Sequence, residues 1–379
     1  MRKKAGWLGI VILSGVILLV VSWKSVSRAV EAAVLLADIA AGANSSLLKR
    51  CTEAPERTAF AWKKGGRVYR GDLYRPAAQA KASVLLIPGA AEEGKDDSRL
   101  VAFATSLARS RFLVLVPDLE GMKRLQLQSE DTQEVVAFLR LLVESSRAAS
   151  VSRYGICAFS YGVGPAILAA LDSAVRNKVC FVMGVGGYYD LPQVLIYATT
   201  GYFLDQGRWR YLPPNEYGKW FFVMSNVHRL SKSSDRKLLR QIAVRKMQNV
   251  DADIADLADR LGPEGRFVLA FIINRDPYRA KSLVSNLPGA IRDEIAALDL
   301  ATKNLSLLNA RLILVHGVDD NIVPYPQSVA LAASVPPGQA TLFLAKGLFH
   351  VDLEGWFVDG WHLWRAVTAL LGERDGTRG

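Results

Sequence analysis

The sequence is poor in the residues that build metal sites and disulfide scaffolds. Cysteine occurs three times, at Cys51, Cys157 and Cys180. The number is odd, and no pair has metal-ligand spacing. Cys157 and Cys180 lie in apolar runs that read as strands, where a free thiol behaves as a small hydrophobe. Cysteine therefore says little about the redox compartment. Histidine is as scarce, with His228, His316, His350 and His362 the only four. No nucleic-acid motif is present, and aromatics are not interleaved with the basic residues. Internal repeats and low-complexity tracts are absent, and no nucleic-acid partner is expected.

Half of the 379 residues are apolar, which excludes global disorder and allows a large core. The net charge of +11 is uneven: the first 75 residues hold thirteen Lys and Arg against five Asp and Glu. Basic residues beside a hydrophobic segment suit an anionic lipid surface, although a positive-inside signal with ordinary solvated charge explains them better than any specific basic partner.

That segment is residues 5–23, an uncharged run. As a helix it spans roughly 28 Å, close to the hydrocarbon thickness of a bilayer. Trp7 and Trp23 flank it, where interfacial aromatics are expected, and Arg2, Lys3 and Lys4 favour a cytoplasmic N-terminus. The remainder would lie on the far side, periplasmic in a bacterium. A cleaved signal peptide is the rival, but its apolar core is usually about 7–15 residues long. The nearest small-residue cleavage pattern, Ala41-Gly42-Ala43, is distant. Residues 1–30 thus read as an uncleaved single-pass anchor, followed by a helical connector over 31–56 with an Ala-rich helix over 25–43.

Beyond it, residues 58–74 read as two strands around Lys63-Lys64-Gly65-Gly66. Short buried strands then alternate with helices: 83–87, helix 97–110, 112–116, helix 130–146, 151–159, helix 161–175 and strand 179–185. Such alternation predicts an α/β architecture, a mostly parallel sheet covered on both faces. After Tyr189 it stops. Residues 191–304 read as a helical cap insertion within a core formed by 57–190 and 305–372. Strands at 311–315 and 340–345 and a helix over 355–372 close the core, and 373–379 should fray.

Three positions carry chemistry. Ala158-Phe159-Ser160-Tyr161-Gly162 joins a strand to a helix. A serine on such a turn is forced into strained backbone angles and projects beyond the sheet; its neighbours two before and two after, Ala158 and Gly162, must be small. Ala104-Thr105-Ser106-Leu107-Ala108 matches the looser pattern but lies inside a predicted helix. The strand 312–315 leads into His316-Gly317-Val318-Asp319-Asp320-Asn321, where either aspartate can orient an imidazole, or simply cap a turn. His350 follows the run 341–345 on a loop at a strand's carboxyl end, where ligands collect in open α/β sheets.

The order Ser160, Asp, His350 and the strand–Ser–helix turn resemble the α/β-hydrolase fold family over about residues 57–372. Pro88-Gly89-Ala90-Ala91 occupies the position of that family's oxyanion turn, although its usual His-Gly reads Pro88-Gly89 here. Val116-Pro117-Asp118-Leu119-Glu120-Gly121 resembles the turn after the next strand, and His316-Gly317-x-x-Asp320-x-x-Val323-Pro324 resembles the acid loop and selects Asp320 over Asp319. The resemblance implies a serine hydrolase acting on an ester or thioester. Ser160 is nucleophile, His350 base and Asp320 acid, with the N–H groups of Ala90 and Tyr161 as oxyanion donors. It implies no metal or organic cofactor; His316, Asp319 and Asp320 on one loop would converge poorly on a metal. The apolar cap favours a small-molecule or lipid-like acyl substrate. Acyl transfer uses the same residues, and a non-catalytic scaffold, or a cap that binds a partner in a membrane complex, is the alternative of another class.

Overall fold

A computed structural model describes residues 23–148, 150–350 and 359–377. The expected membrane span at 5–23 lies outside these residues except for Trp23. Among the described residues no helix is long and apolar enough to cross a membrane.

The core is one eight-stranded sheet in the order β1-β2-β4-β3-β5-β6-β9-β10. Its strands are β1 (Glu56–Lys64), β2 (Arg67–Arg75), β3 (Ala82–Ile87), β4 (Phe112–Pro117), β5 (Tyr154–Phe159), β6 (Val179–Val185), β9 (Arg311–Gly317) and β10 (Ala340–Ala345). Only β2 runs against its neighbours; the other pairings are parallel. Both faces are covered, so β3 and β4 are buried at every residue. Alternation survives beneath that uniform burial: Leu85 and Ile87 face one core, Val84 and Leu86 the other.

The first face packs on α5 (Glu130–Ala148), α6 (Val163–Leu171) and α14 (Pro326–Ala333), through Val135, Phe138, Ile167 and Leu331. The second packs on α3 (Ser98–Arg109), α15 (Gly360–Asp375) and α1, helical over 23–41. Short helices α2 (Leu47–Cys51) and α4 (Glu120–Lys123) complete the core. The cap between β6 and β9 comprises α7 (Leu191–Thr200), α8 (Glu216–Asn226), α9 (Ser233–Gln248), α10 (Ala255–Ala258), α11 (Pro263–Ile273), α12 (Pro277–Ser285) and α13 (Gly289–Leu298). It has its own core around Trp220, Leu239, Ile242 and Phe271. Buried Asp235 of α9 accepts from the backbone N–H of Gly262 and Gly265, at 2.8 and 3.0 Å, and so caps α11.

Four expectations need correction. The cap is not all helical: β7 (Tyr202–Asp205) and β8 (Arg208–Tyr211) pair around Gln206-Gly207, both with positive φ, a hairpin turn that suits an aromatic-rich stretch. The helix after Ser160 is shorter than 161–175, because a 3₁₀ turn Ser160–Gly162 precedes α6 and Asp172 ends it. The C-terminal segment does not fray from 373: α15 continues to Asp375, and Arg374 is buried against Glu31. The segment 31–56 is no mere connector, because Ala32, Leu35 and Ile39 of α1 sit in the core. Asp38 is buried too, accepting from Ser106 Oγ of α3 at 2.6 Å and pairing with Lys49 at 2.8 Å. Trp364 Nε1 donates to the Ala29 carbonyl at 2.8 Å.

Candidate active site

Ser160 sits where β5 ends and the 3₁₀ turn begins, with φ 51°. That left-handed conformation is costly for a residue with a Cβ and holds the side chain clear of the strand. It requires close packing on either side. A Cβ on Gly162 would lie 2.6 Å from the Pro88 carbonyl oxygen and 2.9 Å from Ile87 Cγ2. Ala158 is fully buried.

His350 Nε2 lies 2.7 Å from Ser160 Oγ, and its Nδ1 lies 2.9 Å from Asp320 Oδ2. A carboxylate only accepts, so Nδ1 carries the proton and Nε2 receives the serine hydroxyl. Asp320 Oδ1 accepts from the N–H groups of Ile322 and Val323, both at 2.9 Å. Burial would raise the Asp320 pKa, but the imidazoles of His350 and His316 outweigh it and hold the carboxyl well below the usual range. The acid therefore stays ionised at neutral pH.

Several supporting groups carry no obvious signal in the sequence. His316, fully buried, donates from Nε2 to the Val323 carbonyl at 2.8 Å. Its Nδ1 lies 2.6 Å from Ser328 Oγ, and its Nε2 is 3.3 Å from Asp320 Oδ2. It fixes the loop on which the acid sits. Gly317 permits the approach of the histidine loop: a Cβ there would lie 1.7 Å from the Leu348 carbonyl oxygen, two residues before His350. Asp319 accepts from the Gly347 N–H at 3.0 Å and fastens the same loop. The two competing aspartates thus have separate places, one at the imidazole and one at the backbone that carries it. His350 itself has φ 53°. His362, on α15, bonds Asp359, the residue that precedes the helix.

Ala90 and Tyr161 both border the cavity at Ser160. The Tyr161 N–H is in the first turn of the helical segment, where amides lack an intrahelical acceptor. The Tyr161 side chain points the other way. Its hydroxyl lies 3.0 Å from Asp131 Oδ2 and meets both the N–H and the carbonyl of Gln128, at 3.1 and 3.2 Å. Burial pushes the Asp131 carboxyl up to about 7, against the lowering effect of the hydrogen bonds its Oδ2 accepts from Tyr161 and the Gln128 N–H, and its Oδ1 has no partner among the described residues. Cys157, three residues before the serine, is buried and its thiol is pushed up to about 12, so it packs and does not react.

This architecture can be set beside known proteins. No protein-family model matches the sequence, and no curated protein sequence matches it. Solved structures do match in fold. The rice cell wall degrading esterase LipA from Xanthomonas oryzae, in a ligand-bound form, aligns over 90% of this chain and 95% of its own, at 13% identity and TM-score 0.57. A Legionella pneumophila protein designated a hydrolase aligns over 85% of this chain and 89% of its own, at 11% identity and TM-score 0.57. The chain spans less than half, 42%, of the acylaminoacyl peptidase of Pyrococcus horikoshii, at 14% identity and TM-score 0.44. The order and direction of the strands, together with the Xanthomonas and Legionella matches, define a class: the chain has the α/β-hydrolase fold. Within that class it carries a helical insertion between β6 and β9 and a serine, a histidine and an aspartate in hydrogen-bond sequence at one end of the sheet.

Proposed function

We propose that the protein is a membrane-anchored serine hydrolase that cleaves a carboxylic ester or thioester through an acyl-enzyme. The observation that carries this reading is the unbroken relay from Ser160 Oγ through His350 to Asp320, with contacts of 2.7 and 2.9 Å. Ser160 Oγ attacks the carbonyl carbon as His350 Nε2 takes its proton. Asp320 holds the imidazole tautomer and stabilises the imidazolium. The N–H groups of Tyr161 and Ala90 receive the developing oxyanion, each such donor contributing about 3 kcal/mol to lowering the barrier. His350 then gives the proton to the leaving oxygen or sulfur. Water repeats the sequence on the acyl-enzyme and frees the acid.

The uncharged run at 5–23 supports a single-pass anchor with its N-terminus in the cytoplasm and the catalytic domain on the other side. A second reading, transfer of the acyl group to an apolar alcohol, draws on the apolar cavity beside His350. The test is release of acid from a panel of neutral esters by the full-length protein in detergent. Turnover that disappears in Ser160→Ala supports the reading, and acid release by folded wild type no faster than the uncatalysed rate for every ester refutes it. Added long-chain alcohol that yields new ester at the expense of acid selects transfer.

A further inference from the structure

Two cavities meet at Ser160. The larger, 280 Å³, extends between α1, α3 and α15, with Leu36, Ile39, Phe103, Leu363 and Val367 in its wall. The smaller, 150 Å³, lies between the core and the cap, against Tyr188, Val194, Leu195, Ala198 and Leu298. Both reach Ser160 and Tyr161, but only the larger includes His350 and the turn Gly89-Ala90-Ala91 in its wall.

This asymmetry assigns the two limbs of a substrate. Once Ser160 Oγ has bonded to the carbonyl carbon, that carbon carries an oxyanion, a leaving atom and an acyl chain. The leaving atom must receive a proton from His350 Nε2, which demands hydrogen-bond reach. The limb attached to it therefore lies on the His350 side, in the larger cavity. The acyl chain is left with the smaller one. Among the described residues, neither cavity offers an unpaired charge for a charged group. Asp97, at the larger, pairs with Arg99 at 2.8 Å, and Glu294, at the smaller, pairs with Arg229 at 3.2 Å.

Resting on the serine-hydrolase reading, we propose that the substrate is a neutral ester or thioester with a compact apolar acyl group and a larger apolar alcohol or thiol limb, the latter recognised by α1. The Ser160 Oγ–acyl bond forms as the acyl C–O or C–S bond breaks. The proton passes from Oγ through His350 to the departing oxygen or sulfur, and water completes hydrolysis. Helix α1 continues directly from the uncharged run at 5–23, so this limb is gripped by the part of the domain nearest the expected bilayer.

The experiment varies the two limbs separately in esters presented to the full-length protein in micelles. Leu36 and Ala198 are half-buried and each borders one cavity. In Leu36→Trp, kcat/KM for long-chain alcohol esters should fall on the order of tenfold. Its preference among acyl lengths should be unchanged. Leu36→Ala should move alcohol preference the other way. Ala198→Phe should depress longer acyl groups by a similar factor and leave alcohol preference intact. Wild type supplies an independent reading: with one acyl group, lengthening the alcohol should raise kcat/KM while a deacylation-limited kcat stays constant. Exchanged responses, or an optimum at long acyl and short alcohol, overturn the assignment. Flat responses in variants that still react with a small fluorophosphonate overturn it as well. Failure of wild type to react with that probe refutes the hydrolase reading instead.

Discussion

Ser160, Asp320 and His350 were legible in the sequence because each sits at a strand end whose apolar run is unmistakable. Which aspartate faces the imidazole was not legible from the loop's own residues, since Asp319 and Asp320 are adjacent; the resemblance of the acid loop selected Asp320, and in the structure His350 Nδ1 meets Asp320 while the Gly347 N–H meets Asp319. The prediction for Ser160→Ala is a loss of turnover of roughly 10⁴–10⁶-fold with little change in thermal stability, read from kinetics and calorimetry. In Asp320→Asn the amide would still accept from Ile322 and Val323, but its N–H groups would face His350. The imidazole would then favour the wrong tautomer, and kcat should fall about 10⁴-fold while the protein remains folded. Asp131 invites a pH test. Its carboxyl is raised to about 7 in the folded state, so between the unfolded value near 4 and about 7 the native protein binds more protons. Stability must therefore decline as pH rises through that window. Asp131→Asn should flatten the decline and be the more stable protein at pH 8, as denaturant midpoints at pH 5 and 8 will reveal.

At the scale of elements, glycines decide what can approach what. Gly162 lets the serine turn pass the Pro88 carbonyl, and Gly317 lets the histidine loop press on β9. The first was readable from the small-residue requirement of the turn. The second was visible only as part of a resemblance, because nothing local in His316-Gly317 says that the Leu348 carbonyl must come so near. Gly317→Ala should displace the loop that bears His350. The expected outcome is loss of most ester turnover and a destabilisation of about 1–3 kcal/mol, measured by urea unfolding. The β7–β8 hairpin escaped the helical reading of the cap because Tyr202 to Tyr211 interrupts longer helical patterns with a short aromatic run. The roles of His316 and Asp131 escaped for another reason. A buried polar side chain announces itself only through partners distant in sequence, here Ser328 and Tyr161.

Across the whole molecule, α1 is where sequence reasoning fell furthest short. An Ala-rich helix after an apolar run looks like a tether, yet Leu35 and Ile39 fill the core, and Glu31 pairs with buried Arg374 at 2.8 Å. The helix thus ties to the C-terminal helix α15 and walls the larger cavity. Removal of residues 1–22 should leave the thermal transition and ester turnover intact in micelles. Removal through residue 45 would take Ala32, Leu35 and Ile39 out of the core, expose the apolar surface they cover and strand Arg374 without Glu31; buried aliphatic side chains contribute about 1.5–3 kcal/mol each. That shorter protein should lose its cooperative transition in circular dichroism.

The most direct measurement is the intact mass of the full-length protein after exposure to an alkyl fluorophosphonate. A single adduct that maps to Ser160, is absent from Ser160→Ala and forms far more slowly in His350→Ala is the predicted result. Folded protein that keeps its unmodified mass, or an adduct that persists in Ser160→Ala, would contradict the assignment of this serine as nucleophile.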